Sequence, residues 1–471
     1  MNIPFFRWVR NSLVALILVA SADAATLTVN SSADGGGTCP GVDCTLRQAL
    51  ATAVSGDTIN FGAGIATITL TSGELLINKA VTISGPGANL LTVRRDPAAT
   101  NFRIFETAFV ALFTNITISG LTISNGSSTT GGAIYASREL LSITNCVISG
   151  NTATSGGGIY TDPNAQVTIT NSTLTGNTAV YGGAIYNVAN GGVTLINSTV
   201  FGNSVTGAAD SAGGGIYTLG SATVTNSTIS GNSARRSGGG IFNNGIVTIT
   251  NSTIWGNMAP GTSAGGGGIY NLKTVNLSNT IIAKNTATTV GPDISGTFTS
   301  QGYNFIGDSS GSSGFTNGTN SDQVGTFPGV IDPQLDALGD TGGPTLTHAP
   351  QAGSPAINKG KSSNSTTDQR GLARPVYAPG TSFPSGGDGS DIGAYEVQAD
   401  QLAGCSEINR VVNTTNDSVA GSLRSVITSA CVGSTITFAP NVRGAISLTA
   451  AGQIIIDKNL TISGPGANLL A

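Results

Sequence analysis

The acidic residues in the middle of the chain are few and scattered. Between residues 120 and 285 they are Glu139, Asp162 and Asp210, each at a different place in the local sequence pattern. Hydrolysis of a glycosidic bond needs two neighbouring carboxyl groups, and a polysaccharide lyase typically needs an acidic Ca²⁺ site and a basic residue. The basic residues of the same region are Arg138, Arg235, Arg236, Lys273 and Lys284. Because no unit supplies two carboxylates, the sequence favours a non-catalytic protein, with a polysaccharide lyase or glycoside hydrolase as the alternative.

The densest group of polar side chains lies later in the chain, at Asp340, His348, Asp368 and Arg370. Acids, a base and a histidine could together perform acid–base chemistry. All four fall among the motifs of a separate segment, residues 331–396, which favours a structural role for them. We therefore predict no catalytic, metal or cofactor site.

A series of tyrosines, one per sequence unit, is the best candidate for binding. They are Tyr135, Tyr160, Tyr186, Tyr217 and Tyr270. A row of exposed rings could form a stacking stripe for sugars; alternatively, the rings pack at a corner of the fold. Surface glycans, or host or matrix components, are accordingly the partners that the sequence favours.

The composition excludes several classes of protein. Charged residues are only 9% of the 471, yet the mean hydropathy of +0.16 is too high for a disordered chain. A net charge of −4 provides no basic surface for a nucleic acid. Beyond residue 20 no apolar stretch reaches the roughly 20 residues that span a bilayer, so no transmembrane segment is expected in the mature chain. With 67 glycines, a β-rich fold with many turns remains.

Residues 1–24 have the organisation of a secretory signal peptide. Arg7 and Arg10 precede an apolar run over Leu13–Val19, and Ala22 and Ala24 are small residues at the positions that a signal peptidase reads. We therefore expect an exported protein.

The five cysteines fit an oxidising compartment. Cys39 with Cys44, and Cys405 with Cys431, are candidate disulfides, whereas Cys146 stands alone. A zinc site would need two further ligands near either pair, and the only histidine is His348. The disulfides are therefore favoured.

A unit of about 25 residues repeats along the middle of the chain. Its first asparagine recurs at Asn145, Asn171, Asn197, Asn226, Asn251 and Asn279. A second asparagine follows six residues later in every copy, from Asn151 to Asn285, and Gly85 and Gly120 occupy the first slot in two earlier copies. The repeat indicates a solenoid of at least eight turns.

Within each unit, aliphatic residues alternate before the first asparagine, as at Val167 and Ile169, and the next one, Leu174, breaks that alternation. Alternation predicts a strand, and the break predicts a corner at the asparagine, which tolerates the left-handed conformation. We expect the six first asparagines to align as an inward ladder, each amide bonding the next. The Asn-Ser-Thr sequons are explained by this repeat rather than by glycosylation.

Glycine-rich blocks such as Gly131–Tyr135 supply a second corner and begin the next strand. A unit of short strands cannot bury its own apolar face, whereas stacked units can, so the sequence predicts an all-β parallel β-helix. The stretch Thr45–Leu50 predicts a short helix that caps the open end. The spacing from Ser422 to Phe438 repeats that from Thr45 to Phe61, and residues 461–470 are identical to 82–91. A second β-helix therefore begins near the end of the chain, and we expect it to be truncated.

These motifs resemble those of known families. Cys44–Ala49 resembles the CSLREA motif of bacterial extracellular β-helix proteins, and the Gly-Gly-Ala-Ile and aliphatic-x-Gly-Asn blocks resemble the polymorphic outer-membrane protein repeats. Residues 331–396 resemble the choice-of-anchor Q module. The resemblance implies a right-handed β-helix of pectin-lyase-like fold, at the cell surface or secreted and outer membrane-associated. The uncharged faces with rows of Thr, Ser and Asn, together with the tyrosines, favour an adhesive role in which the protein binds glycans or surfaces.

The expected organisation follows. We divide the chain into a signal peptide (1–24), an N-terminal cap (25–61), parallel β-helix repeats (62–290), a choice-of-anchor Q-like module (291–400) and the start of a second, truncated β-helix (401–471).

Overall fold

The protein is described here from a computed structural model. The structure describes residues 24–398 except 109–114, 208–210, 262–264 and 377–381. Beyond these it describes residues 401, 409–417, 419, 421–430, 434–448, 453–454, 456 and 460–466. The predicted signal peptide up to residue 23, Asp210, Cys405 and Cys431 lie outside the described residues.

The chain winds into a right-handed parallel β-helix, as predicted, and every coil adds one strand to each of three long sheets. Sheet A has eleven strands, all paired in parallel with the coil before and the coil after. Its strands are Thr26–Val29, Thr58–Phe61, Thr82–Ser84, Asn115–Ser119, Leu140–Thr144, Gln166–Thr170, Gly192–Ile196, Ser221–Thr225, Ile246–Thr250, Thr274–Ser278 and Thr299–Ser300. Val167 and Ile169, which the alternation predicted to be buried, are at most 1% exposed in this sheet.

Sheet B follows sheet A in each coil and also has eleven parallel strands. They are Thr67–Leu70, Thr92–Arg95, Thr122–Ser124, Val147–Ser149, Thr173–Thr175, Thr199–Phe201, Thr228–Ser230, Thr253–Trp255, Ile281–Ala283, Phe305–Ile306 and Gln323–Val324. The middle residue of the three-residue strands points inward, as Leu174 does, while its two neighbours face outward.

Sheet C closes each coil with ten parallel strands. They are Leu75–Ile77, Phe105–Thr107, Ile134–Ala136, Ile159–Thr161, Ile185–Asn187, Ile216–Thr218, Ile241–Asn243, Ile269–Asn271, Ile294–Thr297 and Ser312–Ser313. In the coils of the repeat, as in Ile134–Ala136 and Ile159–Thr161, the first and third residues are buried and the central aromatic residue faces outward.

Short strands between sheets B and C form sheet D. Four of them pair in one ladder and two in another. They are Ser127–Thr130, Thr152–Ser155, Thr178–Ala179 and Ser204–Val205, then Met258–Ala259 and Thr286–Ala287. The β-helix therefore has four strands per coil in its middle part.

The first asparagine of every repeat makes the corner between sheets A and B. All six have φ between 46° and 53°, the left-handed conformation that the sequence predicted. The inward ladder predicted for Asn145, Asn171, Asn197, Asn226, Asn251 and Asn279 is wrong, however. Of those contacts only one amide link forms among the described residues, from Asn279 Nδ2 to Asn251 Oδ1 at 2.9 Å. The left-handed corner instead turns the following residue inward, so that Ser172 and Ser198, for example, are fully buried.

The second asparagine of each repeat forms the ladder. Nδ2 of each one donates to Oδ1 of its equivalent in the next coil, at 2.9 Å in every step. The series runs through Asn151, Asn177, Asn203, Asn232, Asn257 and Asn285. It ends at Asp293, whose Oδ1 accepts from Asn285 at 2.9 Å. The Asp293 carboxyl suits this end because its oxygen accepts from the last amide of the ladder.

The capping helix α1 spans Leu46–Thr52, with Thr45 as its N-cap. Arg47 forms an ion pair with Asp34 at 2.7 Å and donates to the carbonyls of Gly73 and Glu74. These contacts give a reason for the arginine that follows the Thr-Leu pair here and the Ser-Leu pair at residues 422–423. A disulfide joins Cys39 to Cys44, as predicted. The cap is thus bound to a later coil by one side chain.

The predicted domain limits differ from the strands in two places. Thr26–Val29 and Thr58–Phe61, within the predicted cap, are the first strands of sheet A, and coils continue past residue 290 to Gln323–Val324. The late coils lack the repeat motif and have two-residue strands, which is why the sequence pattern ended earlier. A 3₁₀ helix, Thr319–Ser321, joins the last of them.

Residues 331–376 and 382–398 fold back along the outer face of the later sheet B strands. Their apolar residues Leu335, Ala356 and Ile392 pack with Ile281 and Phe305. The outward asparagines of the corners assist: Asn226 donates to Ser365 and Thr367, and Asn251 to Ser362. We call residues 331–398 the docked module.

The C-terminal part repeats the architecture of the cap. Helix α2 spans Leu423–Ser429 and lies in the chain between the first and second strands of a parallel sheet, whose strands are Asn409–Val412, Thr435–Phe438 and Thr461–Ile462. Arg424 pairs with Asp417 at 2.7 Å and donates to the carbonyl of Gln453, as Arg47 does in the first cap. Among the described residues, no helix is long and apolar enough to cross a membrane.

Candidate binding surfaces

The predicted tyrosines lie in one file on the outer face of sheet C. The in-register pairing places Tyr135, Tyr160, Tyr186, Tyr217, Phe242 and Tyr270 directly above one another. Their ring centroids are 4.6–5.6 Å apart and neighbouring rings are within 16° of parallel. We call these six residues the aromatic file.

In the aromatic file, the face of each ring packs against the face of the neighbouring ring. A sugar that stacks on an aromatic ring needs a free face, and the internal rings have none to offer. At the first ring, the Arg103 guanidinium lies 4.9 Å from the centroid of Tyr135 and covers its other face. The file therefore presents ring edges and phenol hydroxyls to the solvent. Burial raises the pKa of Tyr135 and of Tyr186 to about 12, so both hydroxyls keep their protons.

Carboxyl groups gather where the aromatic file begins. Glu106 occupies the position next to Tyr135 in sheet C and pairs with Arg103 at 3.0 Å. Burial raises the pKa of Glu106; the Arg103 charge opposes this, and a hydrogen bond to the Glu74 carboxyl adds to it. The nearby Asp162 carboxyl adds to the rise in the pKa of Tyr135. The site thus combines three acids, one arginine and phenols.

Sequence reasoning missed Glu74 and Glu106. Both lie in early coils that lack the repeat motif, so nothing in the pattern indicated that Leu75 and Phe105 pair in register and bring the two side chains together. The signal that could have found them is the strand alternation around Phe105-Glu106-Thr107, whose outer residue is the acid.

Glu139 is enclosed in the β-helix and faces no solvent. It is 2% exposed, and its Oε1 accepts from the Thr107 hydroxyl. Burial raises the pKa of its carboxyl, and the Thr107 hydrogen bond opposes that rise. The Glu139 carboxyl is therefore enclosed beside Thr107, out of reach of a ligand on the outer surface.

The polar group around His348 belongs to the seam between the docked module and sheet B. The ring is 3% exposed; Nδ1 lies 2.7 Å from the Asp336 carbonyl and must donate to it, so Nε2 accepts from the Ser230 hydroxyl at 2.9 Å. Burial lowers the pKa of His348, which keeps the ring neutral. This geometry locks the imidazole in place.

Asp368 and Arg370 form a buried ion pair with 2.6 Å between Oδ2 and Nη2. The guanidinium also lies 3.4 Å from the centroid of Tyr395 and donates to the Glu396 carbonyl. Asp340, in contrast, is exposed at the edge of the docked module. The four polar residues of this segment are thus divided between buried packing and one surface carboxylate.

The described residues offer neither a cluster of metal ligands nor a readily ionised thiol. These contain no group of three or more His, Cys, Asp or Glu side chains that could hold a metal ion. Burial raises the pKa of Cys146 to about 11, which disfavours its reactive thiolate.

The comparison with protein families agrees with the architecture. The family described as "Right handed beta helix region" matches residues 100–221. Among solved structures, pectate lyase Pel9A is 14% identical, with a TM-score of 0.45 over 80% of this chain and 97% of that chain. The PL6 family alginate lyase AlyGC is 15% identical, with a TM-score of 0.21 over 90% of this chain and 66% of that chain. No curated protein matches the chain. The chain is a right-handed parallel β-helix repeat protein, and these likenesses concern its fold alone.

Proposed function

We propose that this is an exported, non-catalytic β-helix protein that binds glycans at a cell surface through the aromatic file. The observation that carries the proposal is the regular row of half-buried rings, with centroids 4.6–5.6 Å apart along one straight sheet. The predicted signal peptide and the Cys39–Cys44 disulfide support export.

The row suits an extended polysaccharide for two reasons. Its spacing is close to the length of one sugar residue in an extended chain, so successive residues can meet successive phenols. The rings are also held rigid by one another, so little side-chain entropy is lost on binding. Since the ring faces are occupied, the phenol hydroxyls rather than the faces supply the contacts.

Removing only the hydroxyls tests this proposal. The triple variant Tyr160→Phe, Tyr186→Phe and Tyr217→Phe keeps every stacked ring, and Phe242 already shows that a phenyl ring fits the file. We expect the wild type to bind polysaccharides on a glycan array and the triple variant to lose at least tenfold in affinity. A matched control is Ile246→Ala, an exposed apolar residue on sheet A. Equal binding by the triple variant and the wild type would refute binding through the phenols.

The enzymatic alternative has one observation in its favour, the Glu74–Glu106 carboxyl pair beside Arg103. A carboxyl whose pKa is raised can act as a general acid. Incubation with polygalacturonate and with neutral glucans, with and without Ca²⁺, distinguishes the two functions. We expect no products; turnover that disappears in Glu106→Gln would establish the enzyme instead.

A further inference from the structure

A groove lies where the docked module ends on the outer face of sheet B. The module covers the later strands, so that Thr199 and Thr228 are buried, while the earlier Thr173 and Thr175 stay partly exposed. The step between covered and open sheet encloses about 310 Å³, at the lower end of the roughly 300–1,000 Å³ typical of small-molecule sites.

The wall of the groove is preformed. The Thr199 hydroxyl donates to the Leu346 carbonyl at 2.6 Å, and the Thr345 hydroxyl donates to the Asn197 carbonyl at 3.0 Å. Gln369 donates to both Thr345 and Leu346 from within the module. Gly343 lies so close to Arg370 that a Cβ would approach its backbone to 2.7 Å. The wall therefore needs no ordering when a ligand arrives.

Three kinds of group line this groove. Phe201 faces outward at the end of its strand and contributes an aromatic ring beside Pro344. Thr173 and Thr175 line the floor, and Asp340 supplies an exposed carboxylate at the rim. The Asp340 Oδ1 accepts from the Gly342 amide at 3.0 Å, which fixes the orientation of the carboxylate.

We propose that this groove binds one residue of a neutral, hydroxyl-rich glycan. A ring, a carboxylate and hydroxyls match the apolar C–H face and the adjacent hydroxyl donors of a hexose. The negative charge of Asp340 disfavours a uronate, whose carboxylate would lie against it. The inference goes beyond the aromatic file, because this second site lies on another sheet and uses other contacts.

The test is calorimetric titration of the full chain with cellohexaose, mannohexaose and hexagalacturonate. We expect at least one neutral hexaose to bind more tightly than hexagalacturonate, Phe201→Ala to weaken that binding at least tenfold, and Asp340→Asn to weaken it several-fold. Asp340 is exposed, so its variant remains informative if Phe201→Ala misfolds, which far-UV circular dichroism detects.

Two controls separate this site from the aromatic file. Ile246→Ala should bind as the wild type does, and the triple Tyr→Phe variant at residues 160, 186 and 217 should keep its affinity for the neutral hexaose in the groove. If the triple variant lost its affinity for the neutral hexaose while Phe201→Ala and Asp340→Asn bound it as the wild type does, the proposed groove site would be wrong. The aromatic file would then be the binding site. Failure of both neutral hexaoses to bind, or tighter binding of hexagalacturonate, would also overturn it.

Discussion

Replacing Asn203 by leucine tests the asparagine ladder at its centre. Its Oδ1 accepts from the backbone N–H and the Nδ2 of Asn177 at 3.0 and 2.9 Å, and its Nδ2 donates to Leu174 O and Asn232 Oδ1, both at 2.9 Å. Leucine removes these four bonds and a fifth, from Nδ2 to the Phe201 carbonyl at 3.1 Å. The Asn177 N–H and the Leu174 carbonyl lose their side-chain partner inside the core, while Asn177 Nδ2 keeps the Ile148 carbonyl.

Each polar group left unsatisfied costs about 1–3 kcal/mol, so Asn203→Leu should lower the free energy of unfolding by about 2–6 kcal/mol. With a urea slope of about 1–3 kcal/mol/M, the midpoint should fall by at least about 0.7 M. The measurement is urea denaturation followed by far-UV circular dichroism. Hydrogen exchange at the Asn177 amide gives a local readout, and exchange there should accelerate.

Asn197→Gly is the matched control, because Asn197 is the corner residue of the same coil. Its φ of 50° suits glycine, and the bond that it makes with Thr345 uses its backbone carbonyl. We expect a change below about 1 kcal/mol. If the two variants had equal midpoints, or if the corner variant were the less stable, the ladder would not be what holds the coils in register.

Three further predictions concern the ends of the β-helix. Cys39→Ser with Cys44→Ser should cost only about 2 kcal/mol in thermal or urea melts, because the disulfide closes a short loop; a much larger loss would show that the cap folds through this bond. Arg47→Leu should expose the N-terminal strands to limited proteolysis, since its bonds to Asp34 and the next coil vanish; an unchanged digestion pattern would contradict that role. Burial raises the pKa of Asp293 from 3.8 to about 7, so its contribution to stability is greatest below about pH 4 and is lost as the pH rises towards 7. The urea midpoint of Asp293→Asn, measured from pH 4 to 7, should lack this part of the decline, and a decline identical to that of the wild type would refute the assignment.

The coils and corners could be predicted from the sequence because their signals are local. Alternation at Val167 and Ile169 gives a strand, and an asparagine after it gives the left-handed corner. The capping helix was predicted for the same reason, from the amphipathic stretch Thr45–Leu50, and the structure shows Thr45 as its N-cap. Each of these features depends on a few adjacent residues, and the parallel pairing repeats them.

Which asparagine points inward could not be predicted from the same signals. Each coil offers two asparagines six residues apart, both polar and both periodic. The left-handed corner adds a residue that reverses the parity of the strand, so the residue after Asn171 is inward rather than Asn171 itself. The inward asparagine, such as Asn177, instead follows a glycine with positive φ at the next corner. Deciding between them requires the geometry of both corners, which spacing alone does not contain.

The docked module poses a different problem, because a repeat offers nearly the same edge in every coil. Corner asparagines are present from Asn145 onward, yet Asn226, Asn251 and Asn279 are those that donate to the module. A repeated contact cannot set its own register, since a shift by one coil would restore it. The register must therefore come from residues that occur once.

Two such residues meet at the seam. Trp255, at an outward position that holds Ser230 and Phe201 in the two preceding coils, has its ring 5.4 Å from that of His348. His348 also bonds Ser230, so it recognises two adjacent coils at once. The contact between Trp255 and His348 places the edge of the docked module one coil beyond Thr175. Phe201 therefore lies at the end of the module where sheet B becomes uncovered. The position of the groove on sheet B is thus a consequence of where the repeat stops being identical.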